Sequence, residues 1–136
     1  MPATRAPHPA PAADRASERG AAALEFALVL PILLMLVFGI ITFGRAYNAK
    51  VELAGGVREG ARALALGKST GEAKSATAAA AGAVGGAATV TTPSTCTPGV
   101  DGTARVHASY NLSYTIPLVR SGTMTITADG AMRCGL

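Results

Sequence analysis

The sequence predicts an α+β fold: a long N-terminal helix, membrane-spanning and then amphipathic, packed on a small C-terminal antiparallel β-ribbon or sheet. Three observations predict it. Residues 26–44 form a 19-residue run without a charge, FALVLPILLMLVFGIITFG. From Tyr47 onward, apolar residues recur at steps of four and three, the spacing of one helix face. Over residues 103–118 the even positions are all apolar, and the odd positions from 103 to 115 are all polar, the signature of a half-buried strand.

Composition narrows the function class. The chain has 136 residues, of which 49% are hydrophobic, yet only 4% are aromatic and tryptophan is absent. Sixteen of the twenty residues in 24–43 are apolar. Outside that block, too few bulky side chains remain to fill a large enzyme core. Twelve basic against eight acidic residues give a net charge of +4, too small and dispersed an excess for a nucleic-acid surface. Two cysteines without a C-x-x-C motif make no disulfide scaffold. The arithmetic argues against a soluble catalytic domain and for a small membrane-anchored protein. No enzyme activity and no cofactor are expected.

Residues 1–20, MPATRAPHPAPAADRASERG, are rich in proline, alanine and arginine. They bury too little surface to offset their ordering entropy and are expected to form a disordered leader. The helix is expected over 21–66, with its transmembrane part at about 24–44. At ~1.5 Å per residue, the uncharged run spans roughly 28 Å, close to the hydrocarbon thickness of a bilayer. A buried core helix is the alternative, but little apolar surface remains elsewhere to wrap it. A cleaved secretory signal is the other, but the run is longer than the usual ~7–15-residue apolar region and no A-x-A site follows. Pro31 removes one helix hydrogen bond and predisposes this segment to kink or unwind.

The stripe Tyr47, Val51, Ala54, Val57, Ala61 and Leu64 continues the helix in phase with Phe43. Gly55, Gly56 and Gly60 weaken it by roughly 1 kcal/mol each relative to alanine, and Gly67 is a suitable stop. The remainder, 67–136, is expected to be a small extracytoplasmic α+β domain. Ser69-Thr70-Gly71-Glu72 fits a capping box that opens an alanine-rich helix from Thr70 to about Ala81. Residues 82–102 read as loop with at most a short strand near Ala87–Thr92. The alternating stretch 103–118 is one strand or two joined by a bend. After a turn near Arg120–Gly122, Met124, Ile126 and Ala128 alternate with threonines. The apolar face of this ribbon requires a cover, which the amphipathic helix supplies.

The junction Arg19-Gly20-Ala21-Ala22-Ala23-Leu24-Glu25-Phe26 carries the chemistry. Glu25 is a carboxylate inside an otherwise apolar helix. Such a group costs several kcal/mol at the membrane centre, less near an end, and usually marks function. Gly20 closes the charged leader five residues earlier. Lacking a Cβ, a glycine in extended backbone enters a protease cleft without side-chain obstruction, and Ala21, Ala22 and Ala23 keep the following segment slim. A cut after Gly20, which the family resemblance of this segment implies, would create an α-amine with an ordinary pKa of about 7.7–8.0, largely cationic at neutral pH. That amine lies one helical turn from Glu25. The two can pair within a chain or between chains, and pairing between chains would set the stagger of packed helices. The blander alternative is an interfacial glutamate at the end of an ordinary signal-anchor helix.

The run RGAAALEFALVLPILLMLVFGIITFGRAYN, followed by VREGARALA, resembles the TadE-like proteins of tight-adherence (Flp-type) pilus systems, which are type IVb pseudopilins or minor pilins. The resemblance is strong over Arg19–Ala65 and holds by pattern only over Val106–Cys134. It implies a pilin-like fold and a prepilin peptidase as partner, cutting after Gly20 so that Ala21 becomes the N-terminus. It also implies an assembly role for Glu25, with Phe26 matching the aromatic that follows it. Other pilins or pseudopilins and the pilus assembly platform are the further partners implied. The lipid bilayer is expected from the residues themselves, and nucleic acid is not. The alternative function is an unprocessed single-pass anchor carrying a small extracytoplasmic binding module.

Charge counting does not orient the chain, because three leader arginines face Arg45, Lys50, Arg58 and Arg62 across the anchor. Cys96 and Cys134 are more informative. A bond between them would enclose the ribbon and stabilise the domain by about 3–4 kcal/mol, and disulfides persist outside the reducing cytoplasm. The expectation is an inner-membrane protein, leader inside and C-terminal part outside, that can enter a pilus; two unpaired thiols are the alternative. His107 sits on the polar strand face and reads as a solvated residue. No metal constellation, phosphate loop or G-x-S-x-G accompanies it. Gly56-x-x-x-Gly60 reads either as a close helix contact outside the membrane or as simple weakness of the helix.

Overall fold

The computed structural model describes the backbone of residues 12–97, 99–100, 102–117 and 119–135, and side chains from Arg19 onward. Six elements follow in order: α1 (Ala12–Ala65), α2 (Thr70–Ala80), α3 (Gly82–Gly85), β1 (Thr89–Ser94), β2 (Thr103–Ile116) and β3 (Arg120–Arg133). The chain divides into two units, Met1–Val37 and Phe38–Leu136. In the second, the C-terminal part of α1 packs on a three-stranded antiparallel sheet of order β1-β2-β3. The fold is α+β, as the periodicities predict.

Helix α1 starts earlier than expected. Residues 1–11 lie outside the described residues, but 12–20 are helical rather than disordered. Ala-Ala-Asp-Arg-Ala-Ser-Glu-Arg contains several strong helix formers, and it extends a helix already nucleated, where each added residue gains a hydrogen bond. The helix also continues through Pro31. Its apolar window is long and apolar enough to cross a membrane and has no part buried within the chain, which removes the buried-core alternative. At the other end Gly67 takes φ +78°. Gly67 N–H donates to Leu64 O (3.0 Å) and Lys68 N–H to Ala63 O (3.1 Å), the paired bonds of a Schellman stop.

The capping box at α2 forms as the sequence predicts. Glu72 N–H donates to Ser69 Oγ (3.2 Å), while Ser69 N–H donates back to the Glu72 carboxylate (2.9 Å). The Ser69 backbone bond, and then its hydroxyl, hold the Glu72 carboxyl below its ordinary value of 4.5. Because the folded pKa is lowered, this contribution is complete above the ordinary value and is lost as pH falls through the folded one. Ser69→Ala should destabilise the domain by about 1 kcal/mol and flatten the acid limb of its stability profile, read by thermal melts between pH 3 and 7.

β2 and β3 pair without interruption from Thr103↔Arg133 to Ile116↔Arg120, so the alternating stretch is one strand and not two. Leu118 lies outside the described residues, and Arg120 belongs to β3 rather than to the turn. Tyr114 faces Gly122 across the ladder and its ring covers the glycine. β1 is displaced two residues from the expected position and carries a register shift between Thr91 and Ser94. Pro93 falls within that shift, where a strand tolerates a residue without an N–H. Cys96 and Cys134 form a disulfide with Cα atoms 5.5 Å apart.

The buried face of α1 differs from the predicted stripe. Val57, Ala61 and Leu64 are buried as expected, but Tyr47 is 65% and Val51 52% exposed. Their places are taken by Ala49 and Leu53, with the buried Gly56 and Gly60. Small residues decide the face. A Cβ on Gly56 would meet Thr77 O at 2.6 Å and Ala81 Cβ at 2.8 Å, and one on Gly60 would overlap the Thr77 side chain. These two glycines, one turn apart, form the notch into which α2 settles. The notch is a close helix contact and not merely a weak stretch. Thr77 is fully buried there, and its hydroxyl donates to Ala73 O (2.8 Å). On the sheet side Gly130 meets the Val57 backbone directly. Ala104, Val106, Ala108, Leu112, Ile126 and Ala128 complete the core, whereas Met124 is 44% exposed.

Candidate functional site

Gly20, Ala21, Glu25 and Phe26 all lie on α1 and are all exposed. Gly20 is helical here rather than extended, and a Cβ built on it would meet nothing within 4 Å. Among the described residues, nothing shields the Gly20–Ala21 peptide bond. Glycine weakens a helix by roughly 1 kcal/mol relative to alanine, so α1 is locally weakened at Gly20.

Ala21 and Glu25 stand four residues apart, on one face and about 6 Å along the axis. Among the described residues, the Glu25 side chain takes part in no hydrogen bond or ion pair. Phe26 is 63% exposed and belongs to the lipophilic surface that runs from Leu24 to Phe43. The arrangement presents a carboxylate, unpaired within the described chain, on an oily rod. A cation freed at Ala21 would come within a turn of it.

Past the uncharged run, a second cluster was not legible in the sequence. Arg45, Asn48 and Glu52 of α1 line an open pocket of about 520 Å³ together with Val84 of α3 and Tyr110 and Leu112 of β2. Asn48 Nδ2 donates to Glu52 Oε1 (2.7 Å). The other oxygen, Oε2, is buried and has no hydrogen-bond partner. The i, i+3, i+7 spacing of these three is visible in sequence, but the covering elements come from 30 to 60 residues away.

Several other charged groups have partners of their own. Lys50 Nζ donates to Thr127 O, which fastens α1 to β3. His107 Nδ1 lies 2.7 Å from Asp129 Oδ1, so this histidine is a cross-strand partner rather than a merely solvated side chain. The register His107↔Asp129 places them opposite each other. Arg62 and Glu59 approach to 3.8 Å on the surface. Among the described residues no three His, Cys, Asp or Glu side chains gather as a metal site would require.

No curated protein and no solved structure matches the chain. Residues 20–62, however, match the family model of TadE-like proteins. The match opens at the glycine before Ala21 and encloses Glu25, Phe26, the apolar run and both notch glycines. It bears out the resemblance read from the motif. Over residues 20–62 this chain is similar to the TadE-like proteins.

Proposed function

We propose that the chain is a prepilin-like minor pilin or pseudopilin that takes part in assembling a tight-adherence (Flp-type IVb) pilus. A prepilin peptidase removes residues 1–20 by cutting after Gly20. The released Ala21 amine then meets Glu25, of its own chain or of a neighbour. Helix α1 holds the protein in the inner membrane, with the leader inside and the disulfide-closed domain outside. Its role is structural and not enzymatic: it packs with other pilins or pseudopilins and engages the assembly platform.

The observation that carries this reading is Glu25, an exposed carboxylate on an apolar helix, five residues after Gly20 and inside the TadE-like segment. In lipid an ionised group near a helix end is unfavourable, by less than at the membrane centre, unless a partner arrives, and the new amine is the nearest cation that processing supplies. The exposed apolar window supports the membrane placement. Glu25→Ala tests the reading. Leader loss should proceed as in the wild type, while pili on the cell surface fall to background. Gly20→Leu should abolish both. Normal piliation in Glu25→Ala cells would overturn the assembly role.

A further inference from the structure

We propose that the pocket holding Arg45 and Glu52 binds the headgroup of a phosphatidylethanolamine lipid. The inference rests on the membrane placement of α1 given above. Ile41 and Gly44, in the last turn of the uncharged run, begin the pocket's lining, and Arg45 is the first charge beyond it. The order of groups along the helix is therefore fixed: apolar residues, then a cation, then Asn48, then a carboxylate. An ethanolamine phospholipid presents its groups outward from the bilayer in the matching order, acyl chains, then phosphate, then ammonium.

The chemistry of the Glu52 carboxylate selects the amine. Oε1 is satisfied by Asn48 at 2.7 Å. An unpaired buried acceptor is unfavourable; Oε2 is such an atom among the described residues, and the carboxylate must turn to present it to the pocket. A primary ammonium brings N–H donors and a compensating charge. The quaternary ammonium of a choline lipid has no N–H to give, and a glycerol headgroup has no cation. Arg45, exposed and flexible, supplies the guanidinium that pairs with the phosphate. The volume of about 520 Å³ lies in the range of small-molecule sites. Arg45 and Glu52 are the only ionisable carboxylate or cation among its lining residues. Tyr110 contributes a ring to the lining.

Native mass spectrometry of the full-length protein in detergent tests this, with an equimolar mixture of ethanolamine, choline and glycerol phospholipids of identical acyl chains. The wild type should retain the ethanolamine lipid about tenfold over the choline lipid, the size expected of one charge-assisted hydrogen bond. Glu52→Gln should bring that preference to near unity, and Arg45→Gln should weaken all three lipids together. The wild-type comparison needs no variant, so it stands even if Glu52→Gln fails to fold. Equal retention of ethanolamine and choline lipids by a protein that fractionates with membranes would overturn the headgroup site alone. Failure to fractionate with membranes would overturn the membrane reading beneath it. A Glu52-dependent homodimer without headgroup preference would overturn it in favour of a second copy of this chain.

Discussion

Gly130→Ala should destabilise the extramembrane domain by about 3 kcal/mol, the upper end for overpacking, and lower its melting midpoint by more than about 10 °C. The sign is what makes this informative. Gly130 does not have a positive φ, and an alanine in a strand interior ordinarily improves on glycine by roughly 0.5–1 kcal/mol. Here the added methyl points at the carbonyl and amide of Val57 and Arg58, backbone atoms with no rotamer to yield. Relief requires α1 to move off the sheet, which opens the contacts of Val57, Val106 and Ala128. Gly55, on the same helix, has open space around its Cβ position. Gly55→Ala should therefore stabilise by about 0.5–1 kcal/mol. Circular-dichroism melts of the two variants should move in opposite directions. A neutral Gly130→Ala would mean that α1 does not lie against β3 at Val57.

Loss of the disulfide should be as costly. The bond joins residues 38 apart in sequence. Releasing a loop of that length restores about 3–4 kcal/mol of unfolded-state entropy on the chain-entropy account. Cys134 is buried, and its N–H donates to Gly102 O at 2.9 Å, so the staple pins the end of β3 to the chain entering β2. Reductant should lower the wild-type midpoint to that of the Cys96→Ser/Cys134→Ser variant, which reductant should leave unchanged. Thiol-reactive probes applied to intact cells should label neither cysteine until the bond is reduced. Rapid labelling without reductant would place both thiols free and remove the main argument for an extracytoplasmic domain.

Elements with a strong local signal were legible in the sequence. The uncharged run, the capping box at Ser69, the Gly67 stop and the alternation of β2 each rest on neighbours within a few residues, and each stands where that chemistry put it. Gly20 and Glu25 are conspicuous in the sequence by contrast with their surroundings. What was misread depends on distant parts of the chain. A hydrophobicity count favoured Tyr47 and Val51 for the buried face, because glycine registers there only as weakness. Gly56 and Gly60 acquire their meaning from Thr77, and Gly130 from Val57. The compositional argument for disorder took residues 12–20 in isolation, without the helix they extend. Glu52 drew no notice as one charge among several off the stripe. Its orphaned oxygen follows from the arrival of α3 and β2.

These two levels meet in the segment 20–62. Helix α1 carries Glu25 in the first unit and the glycine-built notch in the second. The intact mass of native protein extracted from membranes is the measurement closest to the centre of this account. It should equal that of a chain beginning at Ala21, and Gly20→Leu should restore the unprocessed mass. A wild-type mass that still includes residues 1–20, from cells bearing normal surface pili, would contradict it.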